Sequence, residues 1–169
     1  MKPLCVIVVG RIGSGKSTIA REVAKEKDMK FFEMSDLIHE ITGRQRDTIR
    51  LNNLTAEEVA AELVKKLDIE KSWVISGVRQ AGIIKKLKKY FRVEVIKIDI
   101  NLEERFRRVI SRGEETTIEQ IEAEDTLDSK LGLDIIMNKE CFTISNIKWK
   151  VTRVVSEIAN HLRRYEELI

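Results

Sequence analysis

A chain of 169 residues is long enough for one domain with a sizeable core, and 43% apolar with 35% charged residues is the balance of a soluble globular protein. With 31 Lys and Arg against 28 Asp and Glu the net charge is +3, too small to argue for a nucleic-acid or membrane surface. No apolar run reaches the roughly 18 residues of a membrane span, and Met1-Lys2-Pro3 leads straight into a strand pattern, so neither a span nor a leader peptide is expected and the expected compartment is the cytoplasm.

The first pattern, Leu4-Cys5-Val6-Ile7-Val8-Val9, is a continuous apolar run that predicts a buried strand. It opens directly into Gly10-Arg11-Ile12-Gly13-Ser14-Gly15-Lys16-Ser17-Thr18, which is G-x-x-x-x-G-K-[ST]. Glycines let the backbone curl so that successive N–H groups face phosphate oxygens. The helix beginning near Lys16 adds its positive end. In this pattern Gly10, Arg11, Ile12, Gly13, Ser14, Gly15, Lys16, Ser17 and Thr18 form a phosphate cradle. Lys16 reaches the β- and γ-phosphates of ATP, and the Ser17 hydroxyl ligates Mg²⁺.

A first helix is expected to run from Lys16 to about Lys25, with Ile19, Ala20, Val23 and Ala24 inward. Phe31–Met34 reads as a second strand, with Ser35 as N-cap of a helix through Ile41. The polar stretch 42–53 carries Arg44, Arg46 and Arg50 and suits a mobile loop or short helix. Thr55-Ala56-Glu57-Glu58 is a capping box opening a helix to about Leu67. Trp73–Ser76 is a third strand ending at Gly77, followed by a Lys-rich helix from about Ala81 to Lys89. Lys85, Lys86, Lys88 and Lys89 lack interleaved aromatics and read as a solvated face, so nucleic acid is not an expected partner. Val93–Ile98 is a fourth strand. Asn101 then caps a helix to about Arg112, on which Arg105, Arg108 and Arg112 share one face. After a break at 113–117, Ile118–Lys130 reads as an acidic helix. Cys141–Ile144 is a fifth strand, and Lys148–Arg164 a closing amphipathic helix with Val151, Val154, Val155, Ile158 and Leu162 inward. Cys5 and Cys141 read as buried reduced thiols, Trp73 and Trp149 as core residues. His39 and His161 stand apart, so no His/Cys metal site is expected.

Alternating strands and helices imply an α/β layered fold with a parallel sheet and ligands at the carboxyl ends of its strands. In order and spacing, the blocks Gly10–Thr18, Met34–Ile38, Ser76–Arg79, Leu102–Gly113, Lys130–Leu133 and Thr143–Asn146 make the chain resemble the small P-loop kinases. These include nucleoside monophosphate kinases and dephospho-coenzyme A kinase, and the chain is especially similar to archaeal nucleotide-kinase-like proteins of about this length. The resemblance implies one three-layer domain over 1–169 with a sheet ordered 2-3-1-4-5. Residues 1–35, 70–112 and 132–169 would form its core, about 36–69 a mobile acceptor arm and about 113–131 a lid. It implies ATP and Mg²⁺ as cofactors, a small phosphate-bearing acceptor and a monomer or homodimer.

By the same resemblance, Asp36 faces the acceptor as base or Mg²⁺ organiser, and Arg79 pairs with the acceptor's phosphate. Arg108 and Arg112 swing from the lid hinge onto the transferring group, and Asn146 lies beside the adenine. Asp36 and the arginines each have a plainer reading: a helix-start acid and solvated side chains. Two departures stand out. The third strand ends in Ser76 where such kinases carry an acid, with Asp99 only a weak substitute. The lid is dominated by Glu114, Glu115, Glu119, Glu122, Glu124, Asp125 and Asp128 in place of bases. An acid near a polyphosphate is repulsive. The sequence therefore supports two classes of function: an ATP-dependent phosphotransferase on a nucleoside monophosphate or dephospho-coenzyme A, and a nucleotide-binding regulator with little turnover.

Overall fold

The computed structural model describes residues 1–43, 54–145 and 150–167. Arg44, Arg46 and Arg50 of the polar stretch, Asn146 and Trp149 lie outside them.

Five strands, β1 (Leu4–Val9), β2 (Lys30–Glu33), β3 (Trp73–Ser76), β4 (Arg92–Asp99) and β5 (Phe142–Ser145), form one sheet in the order β2-β3-β1-β4-β5. All four pairings are parallel. The central strand β1 is buried along its whole length, which is why it is a continuous apolar run. Its side chains alternate. Cys5, Ile7 and Val9 join one core with the helices α2 (Met34–Thr42), α3 (Ala56–Lys66), α4 (Ala81–Leu87) and α7 (Leu133–Met137). Leu4, Val6 and Val8 join the other with α1 (Lys16–Glu26) and α8 (Val151–Leu162). The result is three layers, helices on both faces of a parallel sheet. Two helices, α5 (Leu102–Ser111) and α6 (Ile118–Leu131), follow β4. No described helix is long and apolar enough to cross a membrane.

Helix starts follow local chemistry. Thr55 caps α3 through the reciprocal box with Glu58, and the Asn101 side chain accepts from the Glu104 N–H at 2.9 Å. The start of α6 is a second capping box, Thr117 with Gln120, and the short helix α7 follows Gly132; the sequence reading foresaw neither. At α2 the expectation is corrected. Ser35 is not its cap: the helix begins at Met34, with Glu33 as the N-cap residue and no side-chain cap. Burial of Met34, Leu37 and Ile38 fixes that start. Val151 is also corrected. As the first residue of α8 it overhangs the core and is 37% exposed, while Val154, Val155, Ile158 and Leu162 face inward. His161 at the other end of α8 binds Glu94 of β4 at 2.6 Å, pinning the helix to the sheet.

Cys5 is fully buried, and burial pushes its thiol up to about 12, whereas Cys141 is only partly buried. A thiol reagent at about pH 8 is therefore expected to label Cys141 in the folded chain and Cys5 only after denaturation. Mass spectrometry of the two labelled peptides reads the difference.

Candidate functional site

The carboxyl end of β1 runs into a turn that needs glycine. Gly13 has φ +78°, and a Cβ there would lie 2.8 Å from the Arg105 carbonyl oxygen and 3.1 Å from Val109 Cγ2. The turn is thus pressed against α5 with no room for a side chain. Gly15, at φ +82°, is the N-cap residue of α1. No side chain caps α1 and its first turn holds no acid, so its amino-terminal N–H groups are available to an anion.

This helix end opens onto a cavity of about 510 Å³ lined by Ile12, Gly13, Gly15, Lys16, Ser17 and Thr18 from the turn and α1. Glu33 and Ser35 line it from the β2–α2 junction, Gly77 and Arg79 from the loop after β3, and Arg112, Glu114, Glu115, Glu124 and Asp128 from α5, α6 and their link. Strand order explains the convergence: β1, β3 and β2 are neighbours, and register sets Val8 beside Ser76 and Ser76 beside Glu33. Ser17 Oγ lies 3.1 Å from Ser76 Oγ, and Ser76 is fully buried. The serine in the expected acid position therefore holds the Ser17 hydroxyl directly. A carboxylate is nevertheless close. Glu33 Oε1 lies 2.9 Å from where a Cβ on Gly77 would sit, and Glu33 Oε2 is buried with no hydrogen-bond partner among the described residues. A buried acceptor without a donor marks a position where a cation or water is wanted. Glu33 was missed from sequence. The usable signal was an acid ending a strand adjacent in a parallel sheet to the one after which the glycine turn comes.

Other expected residues divide. Lys16, Ser17, Thr18, Arg79 and Arg112 line the cavity. Asp36 does not. It is exposed, because the buried residues Met34, Leu37 and Ile38 turn it to the outer side of α2. Asp99 is exposed as well and is not among the lining residues. Arg11 is not among the lining residues; it donates to the Asp125 carbonyl at 3.3 Å and to Ser129 Oγ at 3.3 Å. The arginine row on α5 has three fates. Arg105 is buried and donates to both carboxylate oxygens of Asp125, at 3.0 and 2.7 Å, and to the Ile12 carbonyl. Arg108 bonds Glu104 at 3.0 Å and approaches the Ser14 carbonyl at 3.5 Å. Arg112 faces the cavity, 3.3 Å from Glu114. The Glu104 carboxyl is lowered to about 2 by its bonds to Arg107 and Arg108.

The acidic helix α6 lies against this site. Asp128, 3% exposed, sits with Oδ1 2.8 Å from Arg79 Nε. Burial pushes its carboxyl above the usual aspartate range, although the Arg79, Lys16 and Arg11 charges pull it down and Asp125 pushes it further up.

Comparison with known proteins agrees with this architecture. The AAA domain family matches residues 6–127, and a UPF0200 protein of Aeropyrum pernix is 31% identical over 144 residues, 77% of each chain. Among solved structures, a gluconokinase from Sinorhizobium meliloti superposes with TM-score 0.70 at 18% identity, covering 98% of this chain and 94% of that one. A shikimate kinase from Bacteroides thetaiotaomicron gives 0.67 at 14%, covering 95% and 98%. Both share the α/β P-loop kinase fold.

Two outcomes test the site. Arg105→Ala removes the buried guanidinium that holds the half-buried Asp125 carboxylate and is expected to cost about 2 kcal/mol of stability, read from urea unfolding. Asp128 has a folded pKa above its unfolded one, so its favourable contribution is present below the ordinary aspartate range and is lost as pH rises through the folded value. Asp128→Asn removes that loss. The stability of the variant relative to wild type is expected to grow as pH rises from about 4 toward neutrality.

Proposed function

We propose that this chain, a member of the AAA domain and UPF0200 families with the P-loop kinase fold, is an ATP- and Mg²⁺-dependent phosphotransferase. Its proposed acceptor is a small phosphate-bearing molecule, in first place a nucleoside monophosphate, with dephospho-coenzyme A as the other candidate. The observation that carries the reading is the uncapped amino end of α1 opening, with Lys16 and Ser17, onto a cavity that also holds Arg79. The structural neighbours, named a gluconokinase and a shikimate kinase, support a small-molecule kinase and leave the acceptor class to this chain's own residues.

The residues divide the work. Backbone N–H groups of the turn and of α1 take the β-phosphate oxygens, and the Lys16 ammonium balances the charge that spreads over the γ-phosphoryl oxygens. Mg²⁺ fits the donor set: the Ser17 hydroxyl, held by Ser76, and the orphaned Glu33 Oε2 would hold it. When bound it neutralises β- and γ-oxygen charge. Arg79 orients the acceptor's anion, and Arg112 adds charge at the transferring group. A phosphate acceptor is already ionised, so no base is required, in keeping with the exposed position of Asp36. Excluding water and aligning the two phosphates then supply most of the catalysis.

The acidic lining supports the second reading, a nucleotide-binding regulator. Glu114, Glu115, Glu124 and Asp128 face the cavity and would oppose a polyphosphate without a metal.

Lys16→Ala removes phosphate pairing and little packing. It is expected to weaken ATP·Mg²⁺ binding at least tenfold while leaving the unfolding midpoint unchanged. Calorimetric titration checks it, and unaltered affinity rejects the phosphate site. Glu33→Gln is expected to abolish most of the gain in ATP affinity that Mg²⁺ gives over EDTA. Product formation against a panel of nucleoside monophosphates and dephospho-coenzyme A separates the two readings: ATP binding without turnover favours the regulator.

A further inference from the structure

Helix α6 is tied to the rest of the molecule by two aspartates one turn apart, and the two ties differ in kind. Asp125 receives two well-directed bonds from Arg105, and Arg11 donates to its carbonyl and to Ser129. None of Asp125, Arg105, Arg11 and Ser129 lines the cavity. The Arg105–Asp125 pair is the anchor. Asp128 lies on the cavity wall, and its Oδ1 is 2.8 Å from Arg79 Nε without hydrogen-bond geometry. Arg79 keeps 20% of its side chain exposed, on the cavity side where Lys16 also sits.

A carboxylate buried this deeply, with Oδ1 facing an ill-directed donor, is not a stabilising choice. Desolvation outweighs its attraction to Arg79, Lys16 and Arg11, as its raised pKa shows. Its chemistry is that of the ligands the site is built for, an anion held by the cations that bind phosphates. A phosphate offers more charge and two oxygens to the guanidinium fork, so it is the stronger partner. The helix is also placed to respond. Gly132, at φ +111°, ends α6 against the Arg79 loop, and a Cβ there would lie 3.6 Å from the Arg79 carbonyl oxygen.

We propose that Asp128 is an internal competitor for the anionic group of the acceptor: its carboxylate occupies the Arg79 guanidinium, and the acceptor's phosphate binds by displacing it, freeing the carboxyl end of α6 and with it the long Arg11–Ser129 bonds, while Asp125 and Arg105 hold the helix as a pivot. The proposal rests on the phosphotransferase reading for the identity of the acceptor, and it makes that acceptor an anion. It also explains the acid in a lid where bases were expected. The lid aspartate closes the site against its own arginine and yields it to the right partner.

The test is a double-mutant cycle read by calorimetry, with AMP and inorganic phosphate as probes at fixed salt. Asp128→Asn is expected to bind AMP at least tenfold more tightly than wild type. In the Arg79→Ala background the same change should gain less than threefold, because the competition is for that guanidinium. Asp128→Glu, which restores the charge, should return AMP affinity to near the wild-type value. Asp128→Ala serves as the neutral variant if Asn does not fold. Hydrogen exchange reads the same event without substitution: saturating AMP should lower amide protection over residues 126–131 in wild type and leave that over 118–124 unchanged. Equal or weaker AMP binding by the neutral variants overturns the proposal. So does a gain that survives loss of Arg79, raised protection over 126–131, or no binding of either probe to any form. Titration with ATP alone judges the phosphate loop separately: failure to bind ATP sinks the phosphotransferase reading, whereas ATP binding without the AMP effects sinks only the competitor.

Discussion

Everything in the site hangs on the turn between β1 and α1. Its backbone must pass Gly13 at positive φ within a hair of the Arg105 carbonyl, where a Cβ would stand at 2.8 Å. That close approach does two things. It aims the uncapped amino end of α1 at the cavity, and it locks the turn to α5. Because α5 carries Arg105, and Arg105 grips Asp125, the position of the acidic helix is set by the same turn that would hold a phosphate. A side chain at Gly13 would therefore disturb the turn, α5 and α6 together.

The electrostatics follow from that coupling. Cations gather at the carboxyl ends of β1 and β3, where Lys16 and Arg79 line one cavity. Left to themselves they would repel. The protein balances them from α6 with carboxylates, at a desolvation cost visible in the raised pKa of Asp128. Glu33 is the opposite case, a carboxylate oxygen buried without a donor beside the Ser17–Ser76 pair. One acid is matched to a cation already in the chain, the other is left wanting one. This asymmetry suits a site that takes in an anion together with a metal.

Local chemistry made much of this readable in one dimension. Thr55 with Glu58 and Asn101 ahead of Glu104 announce helix starts within four residues, and those helices are present. The buried run Leu4–Val9 announces the central strand, since only a strand covered on both faces is apolar throughout. Where packing competes with a local signal, the signal loses. Ser35 looks like a cap, but Met34, Leu37 and Ile38 must all reach the core, so α2 starts earlier and Asp36 turns outward. Three arginines in a helical row share a face as their spacing says. That face then meets three surroundings: a half-buried aspartate, the turn's backbone, and the cavity.

By itself, then, the sequence determined the α/β class and the glycine turn between the first strand and the first helix, because each depends on contacts between near neighbours in the chain. The resemblance of its ordered blocks to P-loop kinases supplied the strand order, which the sheet reproduces. Only the tertiary structure decided which side chains are neighbours. Glu33 stands beside Ser76 because β2 and β3 pair in register, and Asp128 reaches Arg79 because α6 returns to the site at the carboxyl ends of the strands. Both partners are dozens of residues apart in sequence. The free energy of such pairs is set by burial and direction, quantities that a linear chain does not possess until it has folded.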